Sequence, residues 1–163
     1  MKILIVTTGG TIDKVYFDAK SDYEIGESQI PQILAESHVT VDYEMVNLLR
    51  KDSLELTDDD RALIRRVVEQ HDRDRVVVTH GTDTMVETAK ALEGIPGKTI
   101  VLTGSLSPAR FRNSDAVFNV GMAVAASQAL SPGVYLAMNG RIFSPRRVRK
   151  NRDANRFEEM DGA

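Results

Sequence analysis

The sequence predicts a three-layer α/β domain: one mostly parallel sheet with helices on both faces. Three observations predict it. Apolar, β-branched runs alternate with helical patterns, in the order βαβαβαβαβ. The 163 residues suit one domain, since domains usually run to about 100–150 residues. Neither an internal repeat nor a linker interrupts the alternation.

Each element can be justified in chain order. Residues 3–8 read as a buried first strand that runs into Gly9-Gly10. A short helix follows over 29–37. Residues 40–46 set Val41, Tyr43 and Met45 against polar neighbours, which marks the second strand. Thr57 is an N-cap, and Asp58, Asp59 and Asp60 sit at the positive end of a helix striped with Leu63, Ile64, Val67 and Val68. Residues 75–80 (RVVVTH) form the third strand. A helix over 83–93 places Met85, Val86, Ala89 and Leu92 on one face, and Gly94 stops it. Residues 99–103 (TIVLT) are the fourth strand. An Ala-rich helix over 114–130 carries Val117, Val120, Val124 and Leu130 and ends at Pro132-Gly133. Residues 134–138 (VYLAM) are the fifth strand. From Ser144 the chain turns polar and basic, and its end, 158–163, reads as frayed. The expected division is an α/β domain over 1–152 and a polar C-terminal tail over 153–163.

Composition narrows the function. Hydrophobic residues at 42% and charged residues at 28% are ordinary for a soluble domain. The absence of cysteine excludes disulfides, thiolate metal sites and Cys nucleophiles, and it fits a reducing cytoplasm. The apolar run 3–6 is too short for a signal or membrane segment. A net charge of −3 gives no general attraction to nucleic acid. No metal or organic cofactor is called for.

In open α/β sheets ligands bind beyond the carboxyl ends of the strands, where strand order reverses. The polar clusters all follow strands: Thr8-Gly9-Gly10-Thr11, Lys51-Asp52-Ser53, His80-Gly81-Thr82-Asp83-Thr84, Thr103-Gly104-Ser105, and Asn139-Gly140 before the stretch holding Lys150. A flavodoxin-like or Rossmann-like order, 2-1-3-4-5, makes the first and third strands neighbours and sets Thr11 facing Thr82. The Gly-rich turns at Gly10 and Gly81 suit close approach of backbone to a carboxylate or oxyanion. Taken singly, they also read as plain strand-exit turns. A phosphate cradle lacks its GxGxxG or GxxxxGK[ST] pattern. A hydroxyl nucleophile needs a base. His80 closes a strand and reads equally as a packed residue. Lys150 lies among Arg147, Arg149 and Arg152, and by composition alone it reads as surface. Two segments without periodicity, 9–28 and 103–113, are long enough to be functional loops.

TTGGTID at 7–13 and THGTDTMVETA at 79–89 resemble the two signature motifs of the L-asparaginase family, and the pair at this separation is highly specific. The resemblance continues through KDS at 51–53, TGSLSPARFRNSDAVFN at 103–119 and MNGR…VRKN between 138 and 151. It implies hydrolysis of the side-chain amide of L-asparagine, with Thr11 as nucleophile and an acyl-enzyme intermediate. It implies a tyrosine on a flexible loop, matched by Tyr23 in DYEIGE with Tyr16 as rival. Asp52 and Ser53 match residues that grip the substrate α-carboxylate and α-amine. Thr82, Asp83 and Lys150 match a second catalytic group in which the lysine activates a threonine or water. The family also implies homo-oligomers.

Family members are about twice this length, and their second domain supplies a glutamate to a neighbouring site. The sequence reads either as the short single-domain bacterial branch, which the basic segment and polar ending favour, or as an N-terminal fragment of a longer member. Glu24, Glu27 or a partner subunit stand as replacements for that glutamate. Other functions stay open: a glutaminase or related amidohydrolase, or a non-catalytic small-molecule-binding domain that would release no ammonia. A response-regulator-type domain would need an acid cluster after the first strand, where Asp13 stands alone, and a lysine in place of Thr103-Gly104-Ser105.

Overall fold

The computed structural model describes residues 1–162. A six-stranded sheet has the order β4-β1-β5-β6-β7-β8. Its strands are β1 (Lys2–Gly9), β4 (Asp42–Lys51), β5 (Arg75–Thr79), β6 (Thr99–Thr103), β7 (Gly133–Met138) and β8 (Arg141–Phe143). The first five are parallel and β8 pairs antiparallel to β7. Counting only the parallel strands, the order is the expected 2-1-3-4-5.

The side chains alternate between two cores, one per sheet face. Leu4, Val6, Val76, Val78, Ile100 and Leu102 pack with Ile64 and Val68 of α2 (Asp58–Gln70) and with Met85, Ala89 and Leu92 of α3 (Met85–Leu92). Ile3, Ile5, Val77 and Val101 face Ile30, Ile33 and Leu34 of α1 (Ile30–Glu36) and Val120 and Ala123 of α4 (Ala116–Ala129). Each fully buried Ile, Leu or Val contributes about 1.5–3 kcal/mol. The helix starts follow the local chemistry: Thr57 accepts from Asp60 N–H while the Asp60 carboxylate accepts from Thr57 N–H, a reciprocal cap.

The structure departs from the sequence reading in four places. It adds the antiparallel edge strand β8 after β7. β4 extends to Lys51, because it follows β1 in parallel register up to Gly9↔Lys51, past an irregularity between Thr7 and Gly9. The segment after β1 holds a hairpin, β2 (Lys14–Phe17) and β3 (Asp22–Ile25), with Tyr16 opposite Tyr23. The end of the chain is not frayed at 158–159. β9 (Val148–Asn151) and β10 (Arg156–Glu159) form a second hairpin, and Phe157 is buried in the core beside Val148. One apolar side chain anchors an otherwise polar strand.

Candidate active site

Four loops converge at the carboxyl edge of the sheet. β1 leads to Gly10, whose φ of 89° is open only to glycine at little cost, and then to a tight turn over Thr11–Asp13. β5, its neighbour, leads to His80-Gly81-Thr82. A Cβ on Gly10 would overlap the Gly81 backbone, reaching 2.5 Å from its Cα. A Cβ on Gly81 would sit 2.7 Å from Ser53 Cβ and Oγ. The two threonines therefore each follow a glycine of one backbone contact. The His80 amide donates to the Thr103 carbonyl at 2.9 Å, which brings in the loop after β6.

Lys150 closes the group from β9. Its Nζ donates to Thr82 Oγ1 at 2.7 Å and to Asp83 Oδ1 at 2.8 Å. Thr82 is 5% exposed, so its hydroxyl meets the ammonium with little competing water. Arg152 Nε approaches Asp83 Oδ1 at 3.4 Å. Two neighbouring arginines pair elsewhere, Arg149 with Glu158 and Arg146 with Glu93. Lys150 is placed by packing. It lies opposite Phe157 in the hairpin, and the Phe157 amide donates to Asn139 Oδ1 at 2.7 Å.

Ser53 is 1% exposed and bound to the same loop. Its Oγ accepts from Thr84 N–H at 3.3 Å, and its carbonyl accepts from Thr84 Oγ1 at 2.7 Å. Asp52 caps the adjoining turn and reaches a residue of the cleft. One oxygen accepts from Leu54 N–H at 3.0 Å and caps the turn Ser53–Glu55, and the other lies 3.5 Å from Lys14 Nζ.

An open cleft of about 480 Å³ is lined by Thr11, Lys14, Asp22, Tyr23, Leu106, Pro108 and Phe111. Tyr23 meets Tyr16 edge-on at 5.4 Å between ring centres, and Phe111 at 6.0 Å. Tyr23 thus lines the cleft with Thr11, while Tyr16 stands behind it. Lys14 and Phe111 escaped the sequence reading, because only the tertiary fold brings them to Thr11. Of the two candidate glutamates, Glu24 is held by Lys20 at 2.6 Å and Glu27 lies 3.9 Å from Arg50.

His80 belongs to the fold. It is fully buried, with Nδ1 2.6 Å from the Gly81 carbonyl and Nε2 2.7 Å from Thr88 Oγ1. A carbonyl only accepts, so Nδ1 donates and Nε2 accepts the threonine proton. Burial pushes its pKa down to about 4. Both ring nitrogens are committed, so it is no free base. His71 lies at the far edge of the sheet, 3.3 Å from Glu44, and His38 is exposed after α1. Among the described residues no group of three His, Cys, Asp or Glu side chains could hold a metal ion, and no helix is long and apolar enough to cross a membrane.

A hydroxyl after a glycine turn, whose backbone packs against the loop carrying a Thr–Lys–Asp cluster, has the residue types that nucleophilic acyl transfer needs. Comparisons with known proteins give the family. The family model for the N-terminal domain of asparaginase matches residues 2–161. The chain is 33% identical over 156 residues to the L-asparaginase of Thermococcus kodakarensis, covering 92% of this chain and 48% of that protein. It is 32% identical to a glutaminase-asparaginase of Acinetobacter glutaminasificans, covering 91% of this chain and 49% of that protein. Among solved structures, the thermostable L-asparaginase from Thermococcus kodakarensis superposes with a TM-score of 0.87 at 30% identity, over 100% of this chain and 52% of that one. L-asparaginase I from Vibrio cholerae gives 0.79 at 28% identity, over 97% and 51%. The chain belongs to the asparaginase family, and it spans about half the length of the curated relatives it matches.

Proposed function

We propose that this chain carries the catalytic centre of an L-asparaginase, which hydrolyses L-asparagine to L-aspartate and ammonia. The observation that carries the reading is the Lys150 ammonium bridging Thr82 and Asp83, beside the contact of Gly10 with Gly81. Thr11 Oγ attacks the side-chain amide carbon. Its proton passes by way of Tyr23 to the departing nitrogen, which leaves as ammonia, and the acyl group stays on Thr11 as an ester. Water then attacks the ester, releasing aspartate and restoring the hydroxyl. Lys150 relays protons between Thr82 or that water and Asp83.

The remaining groups suit a zwitterion. Asp83 takes the substrate ammonium, and Ser53 with the turn amides takes the α-carboxylate. Asp52 acts through the turn it caps. Backbone amides at the Gly10 and Gly81 turns stabilise the oxyanion, a kind of donor whose loss costs about 10²–10³ in rate. No metal or organic cofactor enters this scheme. A cytoplasmic, homo-oligomeric enzyme is part of the reading, supported by the cysteine-free sequence and by Val117 and Phe118 exposed on α4.

A glutaminase is the second reading, favoured by relatives named glutaminase-asparaginase. One methylene separates the substrates, worth about 1–3 kcal/mol in a pocket. Ammonia release from asparagine and glutamine, measured side by side, decides between them. Thr11→Ala should abolish turnover of the better substrate. Full activity in that variant removes Thr11 from the reaction.

A further inference from the structure

We propose that Asp13 is a positioning residue: it clamps the base of the β2–β3 hairpin and so holds Tyr23 over Thr11. The proposal rests on the asparaginase reading above and adds a residue to which that reading gives no role.

Asp13 ends the turn that begins at Thr11, and it is tied on both sides of the hairpin. Its amide donates to the Gly10 carbonyl at 3.1 Å. Its carbonyl accepts from Gly26 N–H at 2.8 Å. Its carboxylate accepts from Gln29 N–H at 2.9 Å. Residues 10, 13, 26 and 29 are thereby fixed to one another, and everything from Lys14 to Ile25 projects beyond them. The closure is tight. A Cβ on Gly26 would lie 3.1 Å from Val15 Cγ1, so the two strands meet with no room to spare.

The clamp is a buried carboxylate under an exposed element. Asp13 is 2% exposed, whereas Tyr16 and Tyr23 are 53% and 45% exposed. A two-stranded hairpin is marginal alone in water, so its placement comes from its attachments. Beyond the clamp these are the Lys14–Asp52 pair and the Tyr23–Phe111 edge contact, both open to solvent. Such exposed contacts are weak. The bonds at Asp13 are the ones shielded from water, and they sit two residues from the proposed nucleophile. Loosening them frees the tyrosine and leaves the pocket groups Ser53 and Asp83 on their own loops.

The test combines kinetics with hydrogen exchange on the full chain. Asp13→Ala should speed amide exchange across 14–25 at least tenfold. It should lower kcat for asparagine at least tenfold with KM within threefold. Asp13→Asn keeps an acceptor for Gln29 N–H and should keep exchange and kcat within threefold of the parent. Gln29→Pro deletes the donor with Asp13 intact. Its native φ of −82° is near proline's range, and it should reproduce the Asp13→Ala pattern, which also decides the matter if Asp13→Ala does not fold. The proposal is overturned if the hairpin loosens and kcat holds, if Asp13→Asn is as impaired as Asp13→Ala, or if Gln29→Pro is unchanged in kcat. The exchange readout does not depend on the chemistry, so an active Thr11→Ala would remove the asparaginase mechanism separately from the clamp.

Discussion

Replacing Lys150 by methionine separates the chemistry of the site from its stability. The substitution keeps a long side chain opposite Phe157 and deletes two hydrogen bonds, to Thr82 Oγ1 at 2.7 Å and Asp83 Oδ1 at 2.8 Å. Asp83 is 28% exposed in its side chain and keeps Arg152 at 3.4 Å, so no isolated buried charge is left behind. The Thr82 hydroxyl, however, is buried and loses its donor, so the two lost hydrogen bonds together cost about 2–3 kcal/mol. In a domain of this size that lowers Tm by about 4–12 °C. The proposed proton relay, by contrast, would be worth about 10²–10⁴ in rate, or about 3–5 kcal/mol in the barrier. Coupled ammonia detection at saturating asparagine, alongside a thermal melt, measures both. A kcat within threefold of the parent refutes the relay. A fall in Tm of tens of degrees refutes the claim that Lys150 is dispensable to the fold.

Three further outcomes are expected. Tyr23→Phe should slow the first release of ammonia more than Tyr16→Phe, read by rapid quench; the opposite order exchanges their roles. Gly10→Ala forces its Cβ into the Gly81 backbone, and a displacement of about 1 Å between reacting groups costs about 10² in rate, so kcat/KM near the parent value would deny the contact its importance. The pH profile of stability carries two opposed contributions. His80 titrates at about 4 when folded against an ordinary 6.5, so its contribution is full above that value and is lost as pH falls. Asp13, raised by burial to about 6 from 3.8, contributes fully at low pH and loses this as pH rises. Each slope is about 1.4 kcal/mol per pH unit, and between about pH 4 and 6 they cancel. Urea unfolding of Asp13→Asn should therefore show stability rising more steeply with pH than the parent; parallel curves contradict the assignment.

The first, third and fourth parallel strands were legible because burial on both faces leaves an apolar run, and the second, half-exposed, through its alternation with polar residues. The β2–β3 hairpin was not legible, since both its faces are largely solvated and no periodic pattern marks it. β10 was hidden for a related reason: only Phe157 of its four residues is buried. In the site, motif residues announced themselves through glycines and hydroxyls after strands. By composition Lys150 read as surface, and only the family resemblance joined it to Thr82 and Asp83; the second hairpin that brings it there left no pattern in the sequence. Asp52 was legible as a carboxylate after a strand, but the turn that one of its oxygens caps was not.

The touching glycines have a consequence for how such a centre can change over generations. The spacing of the two threonine loops is set by main chain against main chain, so no side chain of the cleft participates in that seam. Leu106 and Phe111 are free to be exchanged for other shapes without disturbing it. The shape that the cleft accepts can drift along the walls while the Thr11 hydroxyl keeps its address.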